Sequence, residues 1–186
     1  MNIAIVGATG NVGRKLIEVL EKKKFPISEL FLVASSKSEG KKISYSGKEY
    51  TVIDLEKFDF SNVKIAFFAA GSLIAEKWAH IAAEKTIVID NSKFFRKDPE
   101  IPLVVPEVNS KELAQVKNKN IIANANCSVI PLVVALKPLH DLYNVKRIVV
   151  STYQSVSGAG KDAMDELASQ TQEFFQNKKL ESKYFT

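Results

Sequence analysis

The sequence has little cysteine, little histidine and no long apolar run. Its 186 residues include one cysteine, Cys127, and two histidines. A single cysteine excludes an intramolecular disulfide and is typical of a reducing compartment. No stretch approaches the run of about 18 apolar residues that spans a membrane, and residues 2–6 begin a strand rather than a signal peptide. We therefore expect a cytoplasmic protein without a membrane partner.

The positive charge of the chain has a simple interpretation. The net charge is +5, but the basic residues cluster only in short runs, such as residues 22–24 and 41–42. A groove for nucleic acid would place aromatic side chains among its cations, and no such pattern occurs. We therefore expect no nucleic-acid partner. The excess positive charge suits a protein whose small-molecule ligands are anions.

Strand-like and helix-like segments alternate along the chain, without internal repeats or low-complexity tracts. Strands are predicted at residues 2–6, 30–34, 63–70, 86–90, 103–105, 120–124 and 146–154, and helices at 12–22, 73–83, 128–142 and 161–176. Residues 35–60 are polar and punctuated by glycine, with a small hairpin around residues 46–48. Apolar strands without clean alternation, separated by helices, indicate a mostly parallel sheet covered on both faces. The sequence therefore predicts a doubly wound α/β fold, whose ligands lie at the carboxyl ends of the strands.

Three glycines, Gly7, Gly10 and Gly13, follow the first predicted strand and open the first predicted helix. In this setting Gly7 permits a tight turn, Gly10 lets the main chain approach a pyrophosphate, and Gly13 allows close packing of helix on strand. The N–H groups at the start of the helix then face the phosphates. The spacing and its position predict a Rossmann-type, dinucleotide-binding domain.

The loop after the second predicted strand selects between two cofactors. NAD-binding proteins usually place a carboxylate about 20 residues after the glycines, where it holds the ribose hydroxyls. This chain instead has Ser36, Lys37 and Ser38, which offer two hydroxyls and a cation. A 2′-phosphate would find charge-assisted donors there, so the sequence favours NADP.

Cys127 stands where an apolar strand gives way to an apolar helical stretch. The N–H groups at a helix start stabilise an anion and so favour the reactive thiolate. A thiolate together with a nicotinamide cofactor suggests oxidation or reduction at the aldehyde level through a covalent thioester. The neighbouring Asn126 could donate a hydrogen bond to a developing oxyanion, or it could close a turn.

The strongest signal is the combination of several motifs in one order. The segments are GATGNVG (7–13), ASSKSEGK (34–41), DNSKFFRKDPEIPLVVPEVN (90–109), NANCSVIPLVVALKPLHD (124–141) and STYQSVSGAGKDAMDEL (151–167). Together they resemble the aspartate-β-semialdehyde dehydrogenase family, over nearly the whole chain. The resemblance implies NADPH-dependent reduction of β-aspartyl phosphate to aspartate semialdehyde, with phosphate release. The product of that reaction feeds lysine (through diaminopimelate), methionine and threonine synthesis.

The resemblance also implies roles for individual residues. Cys127 matches the acyl-thioester nucleophile, Gln154 a substrate-binding glutamine and Arg96 an arginine that binds phosphate, and Asn126 is placed with the substrate-binding residues. The implied cofactor contacts are Gly7, Thr9, Gly10, Asn11 and Val12 in the phosphate loop, Ser36, Lys37 and Ser38 at the 2′-phosphate, and Ser157 and Gly158 beside the nicotinamide. No metal ligand is expected.

Three of these residues have other interpretations on their own chemistry. Lys37 stands where relatives usually carry arginine; it keeps the charge but lacks the bidentate fork, which weakens the expected preference for NADP. Arg96 lies among prolines, where an arginine is often only a surface residue. Gln154 at a strand end could simply cap main-chain groups.

Members of this family are nearly twice as long as the present chain. The resemblance implies that residues 1–125 form the NADP-binding domain and that residues 126–186 begin a catalytic and dimerisation domain of a homodimer. It also implies that a catalytic histidine and a substrate-binding arginine lie outside this chain. His80 is mid-helix, and His140 lies about 18 Å along a helix that begins near Cys127, so both are interpreted as structural. We expect an N-terminal part that lacks the general base.

Two other functions remain open. N-acetyl-γ-glutamyl-phosphate reductase carries out the same chemistry on a substrate one methylene longer. Its relatives have Pro-Gly before the cysteine, whereas this chain has Asn126. The other alternative is an inactive fragment that binds only a cofactor or a partner, because the general base is missing.

Overall fold

A computed structural model describes residues 1–183 of the chain. The chain divides into two compact units, one ending at Ile148 and the other beginning at Val149. The functional boundary expected between residues 125 and 126 stays a prediction. The last residues of the predicted second domain, 184–186, lie outside the described residues.

The first unit contains eight strands and four α-helices. The strands are β1 (Asn2–Val6), β2 (Glu29–Ala34), β3 (Lys42–Tyr45), β4 (Lys48–Asp54), β5 (Ile65–Phe68), β6 (Ile87–Asp90), β7 (Leu103–Val104) and β8 (Ile121–Asn124). The helices are α1 (Asn11–Lys22), α2 (Ser72–Ala83), α3 (Pro106–Asn109) and α4 (Val129–Tyr143). The predicted helices 12–22, 73–83 and 128–142 are therefore confirmed.

The strands form one sheet in the order β3-β4-β2-β1-β5-β6-β8-β7. Every neighbouring pair is parallel except the β3–β4 hairpin. From β1 the chain passes to β2 on one side and later to β5 on the other. This reversal makes the carboxyl end of β1 a topological switch point, where doubly wound folds bind their ligands. The predicted fold class is confirmed.

The sheet is covered on both faces because alternate residues of β1 point to opposite layers. Ile5 belongs to a buried cluster with Ile17 and Leu20 of α1. Val6 belongs to a second buried cluster with Ala79 of α2. The small alanines of α2 let that helix approach the strands closely. Burial on both faces explains the nearly continuous apolar sequence of the parallel strands.

The predicted hairpin is confirmed, and its second strand, β4, also joins the parallel sheet, which the sequence did not predict. Ser46 and Gly47 both have positive φ, 49° and 76°, as a tight two-residue turn between twisted strands requires. After the turn, β4 pairs parallel with β2, with Val52 opposite Leu32. The polar sequence of β4 gives no sign of this second pairing, because only Val52 and Asp54 of the strand are buried.

The prediction of a strand at residues 146–154 is wrong. These residues form no strand in the structure, and their apolar side chains are exposed, with Ile148 at 54% and Val149 at 81%. A strand needs a neighbour for its N–H and C=O groups. Within residues 1–183 no strand pairs with this segment.

The second unit is built around α5 (Lys161–Phe175), which confirms the predicted helix 161–176. A 3₁₀ turn at Val156–Ala159 precedes it. The chain after α5 folds back, since the main-chain N–H of Lys183 donates to Glu166 Oε1 at 3.0 Å. Among the helices within residues 1–183, none combines the length and apolar character needed to cross a membrane.

Candidate active site

The glycine loop is held in a conformation that larger residues could not adopt. Gly7 has a φ of +88°, and a Cβ there would lie 2.6 Å from the carbonyl oxygen of Ala69. A Cβ on Gly13 would lie 2.2 Å from the carbonyl oxygen of Gly7. The N–H of Gly7 also donates to the carbonyl of Val33 at 2.8 Å, which ties the loop to β2. The loop therefore has a fixed position at the switch point.

The start of α1 is suited to a negatively charged ligand. Its N-cap residue is Gly10, which has no side chain to cap the helix, and the first turn carries no acidic residue. Gly10, Asn11 and Val12 are exposed, with Val12 at 51%. The partial positive charge of the helix start is therefore directed towards solvent above the glycine loop.

Two sets of predicted cofactor residues meet beside this loop. Ser36, Lys37 and Ser38 form a 3₁₀ turn directly after β2, in which Ser38 is buried and the other two residues are exposed. The Thr9 hydroxyl donates to Ser38 Oγ at 3.4 Å. The loop after β1 and the loop after β2 are thus in contact.

Lys41 also lies in this region, although it is not among the predicted site residues. Its Nζ donates to Ser38 Oγ at 3.4 Å. The available signal was the run Ser38-Glu39-Gly40-Lys41, in which a glycine at the third position is typical of a type II turn. Such a turn returns the chain towards its own start.

Arg96 lies in a 3₁₀ turn after β6 and is half-buried. Its Nε donates to the main-chain carbonyl of Asn124 at 3.0 Å, and its Nη2 donates to that of Asn91 at 3.1 Å. The Asn124 amide also donates to Asn91 Oδ1 at 2.5 Å. A guanidinium has five N–H donors, so others remain for a ligand. Asn91 directly follows β6 and is linked to Arg96 by a contact that the sequence did not predict.

A buried carboxylate supports the turn that carries Arg96. Asp90 is fully buried. Its carboxylate accepts one hydrogen bond from the main-chain N–H of Ser92 at 3.1 Å and a second from the Ser92 hydroxyl at 2.6 Å. Burial raises the pKa of Asp90, while the two hydrogen bonds and the charge of Arg96 oppose that rise. The Ser92 hydroxyl in turn accepts from the N–H of Phe94 at 3.1 Å.

Cys127 is exposed and lies between β8 and α4. The preceding residue, Asn126, organises this connection. Its Oδ1 accepts from the N–H of Ser128 at 3.0 Å and from the Ser128 hydroxyl at 2.7 Å, with Cys127 Sγ at 3.9 Å. Its main-chain carbonyl accepts from the N–H of Val129 at 2.9 Å. Of the two roles left open for Asn126, its Oδ1 closes the turn at the helix start.

The remaining predicted site residues lie in the second unit. Gln154 is exposed and precedes the 3₁₀ turn that contains Ser157 and Gly158. The Ser155 hydroxyl accepts from the N–H of Ser157 at 3.4 Å and begins that turn. Across residues 1–183, no group of three or more histidine, cysteine or acidic side chains is arranged to hold a metal ion.

Comparison with known proteins identifies the family. A family model described as "Semialdehyde dehydrogenase, NAD binding domain" matches residues 2–116, and one described as "Semialdehyde dehydrogenase, dimerisation domain" matches residues 136–186. The chain belongs to the semialdehyde dehydrogenase family. The resemblance inferred from the motifs is thereby confirmed.

Individual relatives support this assignment to the semialdehyde dehydrogenase family. The chain is 53% identical to aspartate-semialdehyde dehydrogenase 2 of Vibrio cholerae over 186 residues, which covers 100% of this chain and 55% of the relative. The crystal structure of aspartate semialdehyde dehydrogenase II from Vibrio cholerae, complexed with ASA, matches with a TM-score of 0.94 at 52% identity, covering 100% of this chain and 55% of that one. The enzyme from Candida albicans with NADP matches with a TM-score of 0.64 at 28% identity, covering 77% and 48%. The chain spans about half the length of the curated relatives it matches.

The candidate site residues of the first unit lie at the edge of the sheet formed by the carboxyl ends of its strands. The loop with Ser38 follows β2, the glycine loop follows β1, Arg96 follows β6, and Cys127 follows β8. The strands β1 and β8 are separated by β5 and β6, so their ends lie about 14 Å apart at about 4.8 Å per strand spacing. One extended ligand could contact both loops.

Proposed function

We propose that this chain carries the cofactor site and the nucleophile of an NADP-dependent aspartate-semialdehyde dehydrogenase. The observation that carries the proposal is the position of the one cysteine at the start of α4, on the same sheet edge as the glycine loop. Identities near 50% to relatives named for this activity support it. The reaction reduces β-aspartyl phosphate in the synthesis of lysine, methionine and threonine.

The residues present fit a dinucleotide. The main chain at Gly10 and the exposed start of α1 would hold the pyrophosphate, together with Thr9, Asn11 and Val12. The loop of residues 36–38 would hold the 2′-phosphate, because it offers hydroxyls and a cation and no carboxylate. When bound, NADPH supplies a hydride to the substrate carbon.

Cys127 and Arg96 have complementary roles in the proposed reaction. The Cys127 thiolate attacks the carbonyl carbon of β-aspartyl phosphate, so that a C–S bond forms and the C–O bond to phosphate breaks. The electron pair of that bond leaves with the phosphate, which the remaining N–H groups of Arg96 bind. The product on the protein is a thioester of Cys127.

Other assignments rest on the family resemblance. We assign Asn126 and Gln154 to the substrate, and Ser157 and Gly158 to the nicotinamide end of the cofactor. We also assign residues 126–186 to the beginning of the catalytic and dimerisation domain. The assembled enzyme is proposed to be a cytoplasmic homodimer.

Exposed apolar surface on α4 supports the dimer. No residue of α4 is buried, and Leu139, Leu142 and Tyr143 are 49%, 74% and 78% exposed. Leu142 and Tyr143 lie three and four positions after Leu139 on one face of the helix, and apolar surface exposed in this way favours a protein–protein contact. Sedimentation equilibrium should show association that increases with chain concentration.

The decisive experiment measures acyl transfer to the chain. The purified protein is incubated with β-aspartyl phosphate, and intact-mass spectrometry reads the addition of one aspartyl group while phosphate release is followed. We expect both signals in the wild type and in the control Ser44→Ala, an exposed position on β3, and neither in Cys127→Ala. Transfer that survives in Cys127→Ala would overturn the nucleophile. Preferential transfer from N-acetyl-γ-glutamyl phosphate would instead support the longer substrate.

A further inference from the structure

The segment Ser38–Lys41 folds back on itself next to the glycine loop. The N–H of Lys41 donates to the carbonyl of Ser38 at 3.2 Å, which closes a four-residue turn. Glu39 has φ −54° and ψ 139°, and Gly40 has φ +80°, the backbone angles of a type II turn. The N–H of Val52 donates to the carbonyl of Lys41 at 2.8 Å, which anchors the turn to β4. The position of Lys41 is therefore fixed by main-chain contacts.

This turn brings the Lys41 ammonium to the predicted 2′-phosphate site. Lys41 Nζ lies 3.4 Å from Ser38 Oγ, and the Thr9 hydroxyl lies 3.4 Å from the same oxygen. One ammonium and two hydroxyls from three separate positions thus converge beside the glycine loop. Each of these groups can donate a hydrogen bond to a phosphate oxygen.

The nearby carboxylate does not neutralise this cation. Glu39, within the same turn, is paired with Lys57, whose Nζ lies 2.8 Å from Glu39 Oε2. The hydrogen bond and charge of Glu39 raise the pKa of Lys57. In the described part of the chain, Lys41 takes part in no ion pair. Its charge remains available to a ligand.

We infer that Lys41 is a second cation for the 2′-phosphate and a determinant of the preference for NADP over NAD. The inference rests on the proposed cofactor. A phosphate monoester carries about −1.5 to −2 charges near pH 7, so the single charge of Lys37 leaves it partly unbalanced. Lys37 also lacks the fork with which an arginine would bind two phosphate oxygens. NAD carries a hydroxyl in place of this phosphate and gains little from Lys41.

The test compares two ligands that differ only in the 2′-phosphate. Binding of 2′,5′-ADP and of 5′-AMP is measured by calorimetry for the wild type, Lys41→Ala, Lys41→Arg and the control Lys42→Ala. Lys42 is the neighbouring lysine, and its Nζ is paired with Glu49 at 2.9 Å. We expect Lys41→Ala to weaken 2′,5′-ADP binding about five- to tenfold, the range of one charge-assisted hydrogen bond at an exposed site. Binding of 5′-AMP should change less than about twofold.

Each outcome decides between the alternatives. Retained selectivity in Lys41→Arg and unchanged binding in Lys42→Ala support the inference. Equal loss of both ligands in Lys41→Ala would assign Lys41 a structural role and overturn it, and so would a Lys41→Ala protein that behaves like Lys42→Ala. A wild type that binds neither ligand would overturn the proposed cofactor site itself.

Discussion

Arg96 donates from Nε to the main-chain carbonyl of Asn124 at 3.0 Å and thereby links the turn after β6 to the end of β8. Its second bond, from Nη2 to the carbonyl of Asn91 at 3.1 Å, returns to the end of β6. Cys127 follows Asn124 by three positions. The same side chain therefore fixes the geometry of the strand end from which the nucleophile extends.

Replacement of Arg96 by lysine should loosen this connection. An ammonium cannot reproduce the planar fork that reaches both carbonyls. We expect Arg96→Lys to lower the free energy of unfolding by about 1–2 kcal/mol, since each lost hydrogen bond contributes about 1 kcal/mol. Urea denaturation measures this, with the exposed neighbour change Lys97→Gln as the control. Equal stability of the two variants would contradict the role of Arg96.

Binding of inorganic phosphate to Arg96 should be detectable as an increase in thermal stability. A ligand at concentration c that binds only the folded state raises the apparent stability by RT ln(1 + c/Kd), so at one concentration the tighter-binding protein is stabilised more. Inorganic phosphate should therefore raise the melting temperature of the wild type more than that of Arg96→Lys. The prediction fails if phosphate stabilises both proteins equally, because the anion would then bind elsewhere.

Gly13→Ala should be strongly destabilising. A Cβ there would lie 2.2 Å from the carbonyl oxygen of Gly7, a main-chain atom that cannot move without displacing the loop. Overpacking of this kind costs about 2–3 kcal/mol. A Cβ on Gly158 would meet nothing within 4 Å, so Gly158→Ala is the matched control for urea denaturation. Comparable midpoints for the two variants would show that the glycine loop adjusts.

Asp90 and Asp59 should give opposite pH dependences, although their hydrogen bonds are alike. Each carboxylate accepts from the N–H and the hydroxyl of a serine two residues later, at 3.1 and 2.6 Å for Asp90 and at 2.9 and 2.6 Å for Asp59. Burial raises the pKa of Asp90, whereas the hydrogen bonds lower the pKa of the exposed Asp59. The stability that Asp90 contributes is present below its unfolded pKa of about 3.9 and is lost as pH rises through its folded pKa. The stability that Asp59 contributes is present above its unfolded pKa and is lost as pH falls through its folded pKa.

The corresponding asparagine variants cannot ionise and should separate these effects. Relative to the wild type, Asp90→Asn should become more stable as pH rises from about 4 to 7. Asp59→Asn should become relatively less stable as pH rises from about 2 to 4. Urea denaturation across this range gives both slopes, and slopes of the same sign would refute the assignment of burial as the dominant cause at Asp90.

Lys37 should affect NADP and NAD differently. The exposed ammonium can contact a 2′-phosphate but adds little to a ribose hydroxyl. Calorimetric titration of Lys37→Ala should show NADP binding weakened about tenfold and NAD binding almost unchanged. Equal affinities of the wild type for the two cofactors would remove the basis of this prediction.

Local signals in the sequence were sufficient for much of the fold and for part of the site. The spacing of the glycines predicted the position of the glycine loop, and the structure leaves no room for a Cβ at Gly7 or Gly13. The turn residues Ser46 and Gly47 predicted the hairpin. Apolar runs located most strands. The same rule failed at residues 146–154, because an apolar run alone does not supply a pairing partner.

Contacts that depend on strand order could not be read from the sequence. The bonds of Arg96 to Asn91 and Asn124 exist because β8 lies beside β6 in the sheet, although β7 separates them along the chain. Lys41 reaches Ser38 through a turn anchored to β4, and the pairing of β4 with β2 was not predicted.

The two tethered nitrogens of Arg96 also bear on the entropy of binding. A free arginine side chain carries about 2 kcal/mol of rotamer entropy, much of which is lost when it is immobilised by a ligand. At Arg96 that freedom is already restricted by folding, because two main-chain carbonyls hold the guanidinium. An anion that binds there meets an ordered side chain, so more of its interaction energy appears as affinity.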